Sequence, residues 1–215
     1  MSRAARAGVR RGTAAAALSA SHEGGHYTSL GVDSRKLGMW LLIASECLLF
    51  GSLIVTYLIF HDKTTGGPTP QQILNIPVTT VSTFVLLMSS FSIVLSLAGI
   101  QRGDRKAFET WIFVTACGGL TFLGFQVYEF TEFVHKGLGF TTNTFGSSFF
   151  LLTGTHGTHV AVGVMWLFAL FFTSKRGGLV RDGALKVDTM ALYWHFVDVI
   201  WIVIFTTVYL FSVVQ

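Results

Sequence analysis

Five long stretches of apolar residues, separated by short polar connectors, follow the first 35 residues of the chain. Each stretch holds 23 to 27 residues, whereas about 20 residues of helix cross the ~30 Å hydrocarbon core of a bilayer. The stretches are apolar on every face and exceed the ~9–11 residues of a membrane-spanning strand, which favours helices over barrel strands. The predicted fold is all-α, a polytopic membrane protein with helices over residues 37–60, 78–100, 110–133, 146–172 and 189–214.

The segment that precedes the first helix differs in composition from the rest. It carries four arginines within its first 11 residues and is poor in acidic residues. Its apolar part, residues 14–18, is shorter than the ~7–15-residue core of a signal peptide, so cleavage on export is not expected. An organelle transit peptide stays open as an alternative. The chain is therefore predicted to comprise a flexible basic cytoplasmic tail, residues 1–35, and a five-helix membrane domain, residues 36–215.

The connectors agree with this segmentation. Glycines and prolines interrupt the first connector, and all three prolines of the chain lie outside the apolar centres. Pro77 stands where it can open the second helix, because proline fits the first turn of a helix without the loss of a hydrogen bond. No helix is predicted to be kinked by proline.

Composition restricts the class of protein further. Hydrophobic residues make up 51% and charged residues only 12% of the chain, too little polar surface for a soluble globule of this length. The net charge of +4 is compatible with nucleic-acid binding in principle. However, the basic residues are separated by long apolar runs instead of forming one face, so no nucleic-acid partner is expected.

The basic residues also predict the orientation. Thirteen of the 15 lysines and arginines lie before the first helix or in the connectors after the second and fourth helices, on one side of a five-span protein. The opposite side has only Lys63 and Lys136. The positive-inside rule therefore predicts a cytoplasmic N-terminus and an external C-terminus, N-in/C-out. Four or six spans would destroy this alternation.

Ionisable side chains at membrane depth are costly and need a partner, a protein-facing position or a neutral state. Glu46 lies near the middle of the first helix. It is interpreted either as a lipid-headgroup or proton-linked contact, or as a protonated or hydrogen-bonded residue that fixes helix packing. Glu129 and Glu132 lie near the end of the third helix.

Two further polar pairs occur in the last two helices. His156 and His159 are three residues apart, as are His195 and Asp198, so each pair lies on one helix face that should point at protein. Imidazoles can bind metals. Because no HExxH, CxxC or Glu-x-x-His motif completes a ligand set, interhelical hydrogen bonding is favoured instead. Asp198 is expected to pair with His195 or with a neighbouring helix.

A stripe of small residues accompanies the histidines of the fourth helix. Thr153, Gly157 and Ala161 follow one another at a spacing of four residues. Small residues at such a spacing let another helix approach closely in a membrane. The residues alone thus indicate a small five-helix bundle whose chemistry is absent or supplied by partners.

Four longer runs carry a resemblance to a known family. The runs are KLGMWLLIASECLLFGSL (36–53), FLGFQVYEF (122–130), SFFLLTGTHGTHVAVGVMWL (148–167) and LYWHFVDVIWIVIFTTVYL (192–210). With these runs, in this order, the chain resembles subunit III of haem-copper terminal oxidases, in particular the five-helix bacterial form.

The resemblance implies a non-catalytic subunit that carries no haem or copper, which belong to partner subunits, and that holds phospholipid. It implies direct packing on oxidase subunit I, association with subunit II and, as a further candidate, a small subunit IV. It also implies support of proton uptake and sustained turnover in the inner membrane of a bacterium, in preference to a mitochondrion. Packing, lipid-contact or proton-support roles are implied for Glu46, Gln126, Glu129, His156, His159, His195 and Asp198.

The electron donor and the wider family leave alternatives. VDSRKLGMW, ILNIPVTTVSTFVLLMSS and IQRGDRK are more similar to bacterial cytochrome c oxidases, whereas GTHGTHV and YEF also suit quinol oxidases. Cytochrome c is favoured. An accessory subunit associated with nitric oxide reductase is the other alternative within the family. A small proton-linked transporter that uses Glu46, Glu129 and Asp198 is the alternative of a different class, and the lack of an internal repeat argues against it.

Overall fold

The computed structural model describes residues 33–64, 66–68, 74–178 and 183–210. The predicted tail up to residue 32 and the predicted end of the last helix, residues 211–214, lie outside the described residues. All five helices are long and apolar enough to cross a membrane, which confirms the all-α, five-helix prediction. They are α1 (Ser34–Phe60), α2 (Ile76–Gln101), α3 (Arg105–His135), α4 (Thr144–Lys175) and α5 (Gly183–Ile204), and α5 continues in a π-helical turn (Phe205–Leu210).

The helices extend beyond the apolar stretches that predicted them. α3 begins at Arg105 and α5 at Gly183, five and six residues earlier than predicted. The reason is that an apolar run marks only the part of a helix in hydrocarbon, whereas polar turns continue the helix into the headgroup region. Helix α3 is capped by Asp104, whose carboxylate accepts a hydrogen bond from the Ala107 N–H at 3.0 Å. Pro77 lies in the first turn of α2, as predicted.

Three connectors have a glycine in the left-handed conformation as their second residue. Gly103, Gly137 and Gly177 have φ values of +76°, +88° and +79° and follow α2, α3 and α4. In each case the N–H of the next residue bonds to a carbonyl in the last helical turn, at 2.9–3.0 Å. This arrangement satisfies carbonyls that would otherwise lack a partner, and glycine adopts it without a Cβ penalty. These glycines therefore end the helices at defined points and keep the connectors short.

Of the described residues, 33–42 belong to one compact unit and 43–210 to another, and the packing described here lies within the second. α2 packs against α3 and α5, and α4 packs against the same two helices. Phe122, Phe149 and Trp194 are among the largest side chains that this packing buries fully. In contrast, Leu48 in α1 is 78% exposed.

Helix α2 meets its neighbours mainly through small hydroxyl residues. The indole N–H of Trp194 donates to Ser89 Oγ at 3.0 Å, and that of Trp201 donates to Thr83 Oγ1 at 2.9 Å. Lipid tails supply no hydrophobic drive between helices, so close approach and interhelical hydrogen bonds stabilise such packing. The buried hydroxyl residues of α2 are Thr79, Ser82, Thr83, Ser89, Ser90, Ser92 and Ser96.

Candidate functional site

Glu46 and His159 face each other across α1 and α4, near the middle of both helices. Glu46 Oε2 lies 3.2 Å from His159 Nε2, and both side chains are about one-fifth exposed, at 21% and 20%. The ring of Phe50 lies edge-on to the His159 ring, with centroids 5.2 Å apart. This contact joins two of the predicted site residues, in a pairing that the sequence could not predict.

The other contacts of His159 fix its orientation. His159 Nδ1 lies 2.9 Å from the carbonyl oxygen of Thr155, which can only accept, so Nδ1 carries a proton. Nε2 is therefore the nitrogen that faces the Glu46 carboxyl group. The contact is at ion-pair distance but is not a hydrogen bond, since Glu46 Oε2 has no hydrogen-bond partner among the described residues. The Tyr193 hydroxyl donates to the His159 carbonyl oxygen at 3.0 Å.

His156 is enclosed by aromatic rings. It is fully buried, and its ring stacks on Trp201 with centroids 4.8 Å apart and an interplanar angle of 27°. Phe122 lies edge-on at 5.7 Å. Neither ring nitrogen has a hydrogen-bond partner among the described residues. The hydrogen bonds expected for the two histidines are thus absent at His156, which lies instead in a packed aromatic cluster between α3, α4 and α5.

Gln126 joins α3 to the small-residue stripe of α4. Its amide Nε2 donates to the Thr153 carbonyl oxygen at 2.7 Å. A Cβ on Gly157 would lie 2.7 Å from Nε2 and 2.8 Å from Cδ of the same amide. Thr153 and Gly157 are buried and Ala161 is half-buried. Gly157 therefore provides the space that the Gln126 side chain occupies.

His195 and Asp198 both reach α2 rather than each other. His195 Nδ1 and Ser90 Oγ are 2.7 Å apart. Ser90 also lies against the carboxyl group of Asp198, which is 5% exposed. His195 and Asp198 thus both contact one serine of α2, and this serine joins α5 to α2.

Glu129 of α3 contacts residues near the start of α2 and at the end of α5. The hydroxyl of Thr79 donates to Glu129 Oε1, and the Tyr209 hydroxyl in the π-helical turn contacts the same carboxyl group. Glu129 and Tyr209 are only 4% and 1% exposed. The wider turn at Phe205–Leu210 aims Tyr209 inward at a point where three helices meet.

Sequence reasoning missed a charged cluster at the basic end of α3 and α4. Glu109 Oε1 accepts from Arg105 Nε at 2.7 Å and from Ser174 Oγ at 2.9 Å, while Lys175 Nζ lies 2.7 Å from Oε2. The i,i+4 spacing of Arg105 and Glu109 was the available signal. The serines of α2 were missed as well, although they recur at helical spacing.

The arrangement of these side chains points to helix packing. Within the described parts of the chain, no three His, Cys, Asp or Glu side chains converge in a way that would hold a metal ion. The polar groups instead form small separate clusters that connect neighbouring helices.

The sequence is similar to proteins of one family along most of its length. A family model described as cytochrome c oxidase subunit III matches residues 16–213. Cytochrome c oxidase subunit 3 of Bacillus sp. (strain PS3) is 43% identical over 181 residues, 84% of this chain and 87% of the relative. Quinol oxidase subunit 3 of Bacillus subtilis (strain 168) is 38% identical over 174 residues, which are 81% of this chain and 85% of the relative. Probable quinol oxidase subunit 3 of Staphylococcus aureus (strain USA300) is 36% identical over 197 residues, which are 91% of this chain and 94% of the relative.

Proposed function

This chain belongs to the cytochrome c oxidase subunit III family, and from that premise we propose that it is the non-catalytic subunit III of a proton-pumping cytochrome c oxidase in aerobic respiration. Membership makes it a multi-pass subunit of an oxidase complex of the respiratory chain, in a family that itself lacks the catalytic site. The proposal adds that the chain packs on subunit I, binds phospholipid, and supports proton uptake and the stability of turnover.

The observation that carries this proposal is that the intramembrane polar residues contact neighbouring helices. Glu46 faces His159, Gln126 bonds to α4, and His195 bonds to α2. Groups that connect helices in this way hold a scaffold together and are not free to react with a substrate. Of them, the Glu46–His159 pair is partly exposed, so it is the group proposed to meet lipid or subunit I.

The exposed side of α1 supports a partner or lipid contact beside that pair. Leu48, Val55 and Ile59 are 78%, 55% and 63% exposed. Apolar side chains on the outside of a membrane helix require lipid or another transmembrane helix against them. Subunit I is proposed to cover part of this face and phospholipid the rest, with subunit II and a small subunit IV further away.

Cytochrome c is the proposed electron donor for the complex. The 43% identical relative is named a cytochrome c oxidase subunit, which agrees with the helix 1 and connector patterns. Quinol is the second candidate, since several relatives at 36–38% identity are named quinol or probable quinol oxidase subunits.

The proposed topology is N-in/C-out, with residues 1–35 as a basic cytoplasmic tail and residues 36–215 as the membrane domain, in the inner membrane of a bacterium. Support comes from the side on which 13 of the 15 basic residues lie and from the bacterial relatives.

Gentle purification of the chain from native membranes tests the assignment. We expect haem in the absorption spectrum and oxidase subunits I and II by mass spectrometry of the co-purifying chains. Oxygen consumption with reduced cytochrome c, compared with a reduced quinol, then distinguishes the donors. A chain that purifies alone and without haem would contradict the proposal, while activity with quinol alone would replace only the donor.

A further inference from the structure

A groove opens between α3 and α4 at the end of the bundle that carries the basic residues. Its volume is about 450 Å³, within the ~300–1,000 Å³ of small-molecule sites. The groove is separate from the Glu46–His159 pair, which lies near the middle of the helices. Its lining residues are Lys106, Glu109, Thr110, Phe113, Val114, Phe171 and Lys175.

The mouth of the groove is positively charged. Arg105 and Lys175 both bind the carboxylate of Glu109, at 2.7 Å each. Lys106 is exposed, and no carboxylate among the described residues lies within ion-pair distance of it. The lining thus holds two cations and one anion, with Arg105 as a further cation beside it, which leaves net positive charge at the mouth.

The walls of the groove are apolar. Phe113 and Val114 are 45% and 42% exposed, and Phe171 stands beneath Lys175, whose Nζ is 5.5 Å from the ring centre. At a rise of about 1.5 Å per residue, Phe113 is roughly 10 Å further along the helix axis than Lys106. A ligand that suits both parts has an anionic head and an apolar tail aligned with the helices.

We infer that this groove binds an anionic phospholipid, with its phosphate between Lys106 and Lys175 and the start of an acyl chain along Phe113, Val114 and Phe171. The inference extends the lipid binding proposed above and rests on it for the membrane setting. With the proposed topology, the lipid belongs to the cytoplasmic leaflet. Neither an acidic peptide nor a free phosphate would use the apolar walls, so lipid is the occupant that the charge and the walls together fit.

Photo-crosslinking from the groove tests this inference on the intact oxidase complex. Phe113 is replaced by p-benzoylphenylalanine, and the purified complex is placed in vesicles with equal amounts of phosphatidylglycerol and phosphatidylcholine. Mass spectrometry then measures the ratio of the two lipids attached at that position. Phe84 in α2 is the matched position: it is also eight residues from the start of its helix and 60% exposed, but the first turns of that helix have no basic residue.

Phosphatidylglycerol should exceed phosphatidylcholine by about fivefold at Phe113, the factor that corresponds to one unpaired lysine near a membrane surface. At Phe84 the ratio should follow the vesicle composition. Lys106→Gln, which leaves the Glu109 ion pairs in place, should reduce the excess, and Lys106→Gln with Lys175→Gln should remove it. Lys136→Gln, at the opposite end of α3, should not change it.

The inference would be overturned by a ratio at Phe113 equal to the vesicle composition, by a ratio that the lysine substitutions do not change, or by attachment to a protein chain instead of lipid. Loss of phosphatidylglycerol on addition of inorganic phosphate at constant ionic strength would show a phosphate site and also overturn it. Haem content of the same preparation reports on the proposed function separately.

Discussion

Glu46 shows how a single carboxyl group can be kept inside a membrane helix. Its partner, His159 Nε2, is 3.2 Å away, and the Thr155 carbonyl oxygen holds the opposite ring nitrogen in its protonated form. Helix packing thus places an imidazole beside the carboxyl group, at ion-pair distance from it.

Glu46→Gln should leave the haem content of the complex unchanged, because the side chain binds no redox centre. The amide can still donate to His159 Nε2 but cannot exchange a proton. An interhelical bond is worth about 0.6 kcal/mol in a membrane, so a comparable weakening would shift an equilibrium about threefold. We expect fewer turnovers before activity is lost, measured as oxygen consumed per haem.

Glu132→Gln is the control, since Glu132 pairs with Lys136 near the end of α3 at 2.7 Å and away from α1. It should change neither quantity. Loss of haem from Glu46→Gln would contradict the assignment of a non-redox role.

His156 has an aromatic role that its side-chain type does not suggest. Since neither of its ring nitrogens has a described protein partner and its ring stacks on Trp201, a ring of similar size should replace it. His156→Phe should remain within about 1 kcal/mol of the native stability, whereas His156→Ala should lose about 2–5 kcal/mol through the cavity it leaves.

The purified complex is heated, and the temperature at which this chain is lost from it measures the difference in stability between the two variants. If His156→Phe were as unstable as His156→Ala, hydrogen bonding by the imidazole would outweigh its packing.

At the scale of the helices, the close contact between α3 and α4 depends on one glycine of α4 and not on another. The Gln126 amide fills the space where a Cβ on Gly157 would lie. A Cβ on Gly154, three residues earlier in the same helix, would meet nothing within 4 Å. Two glycines of one helix thus offer a matched comparison.

Gly157→Leu should separate α3 from α4 and reduce assembly into the complex, because an overpacked contact costs about 1–3 kcal/mol. Gly154→Leu should assemble normally. The amount of this chain that co-purifies with haem measures both. Equal assembly of the two variants would show that the α3–α4 contact tolerates the added volume.

The apolar runs were sufficient to predict the number, order and centres of the helices, because crossing hydrocarbon demands length and composition alone. They could not predict the pairing of Glu46 with His159 or of Ser90 with His195. Helices that are apolar on every face carry no signal of which face meets which neighbour. The cap at Asp104 lay in a polar connector, where the runs carry no information.

At the scale of the molecule, the distribution of basic residues predicts the orientation. An alkaline phosphatase fused after Gly139, in the α3–α4 connector, should be active because that connector is predicted to be external. The same enzyme fused after Gly103, in the α2–α3 connector, should be inactive because it folds only outside the cytoplasm. Enzyme activity in whole cells, normalised to fusion protein, gives the result.

A fluorescent protein that folds in the cytoplasm, placed at the same two positions, serves as the complementary control. Fluorescence at Gly139 and phosphatase activity at Gly103 would reverse the topology, and with it the leaflet assigned to the proposed phospholipid.

The contact between Glu46 and His159 has an electrical consequence for the whole subunit. A unit charge carried across a bilayer exchanges about 2.3 kcal/mol with each 100 mV of membrane potential, so a lone charge near the midplane would feel about half of that. Opposite charges on Oε2 and Nε2 would be only 3.2 Å apart, about a tenth of the ~30 Å hydrocarbon thickness. The membrane potential would act on such a pair as on a small dipole, and it would exert little net force on α1 and α4.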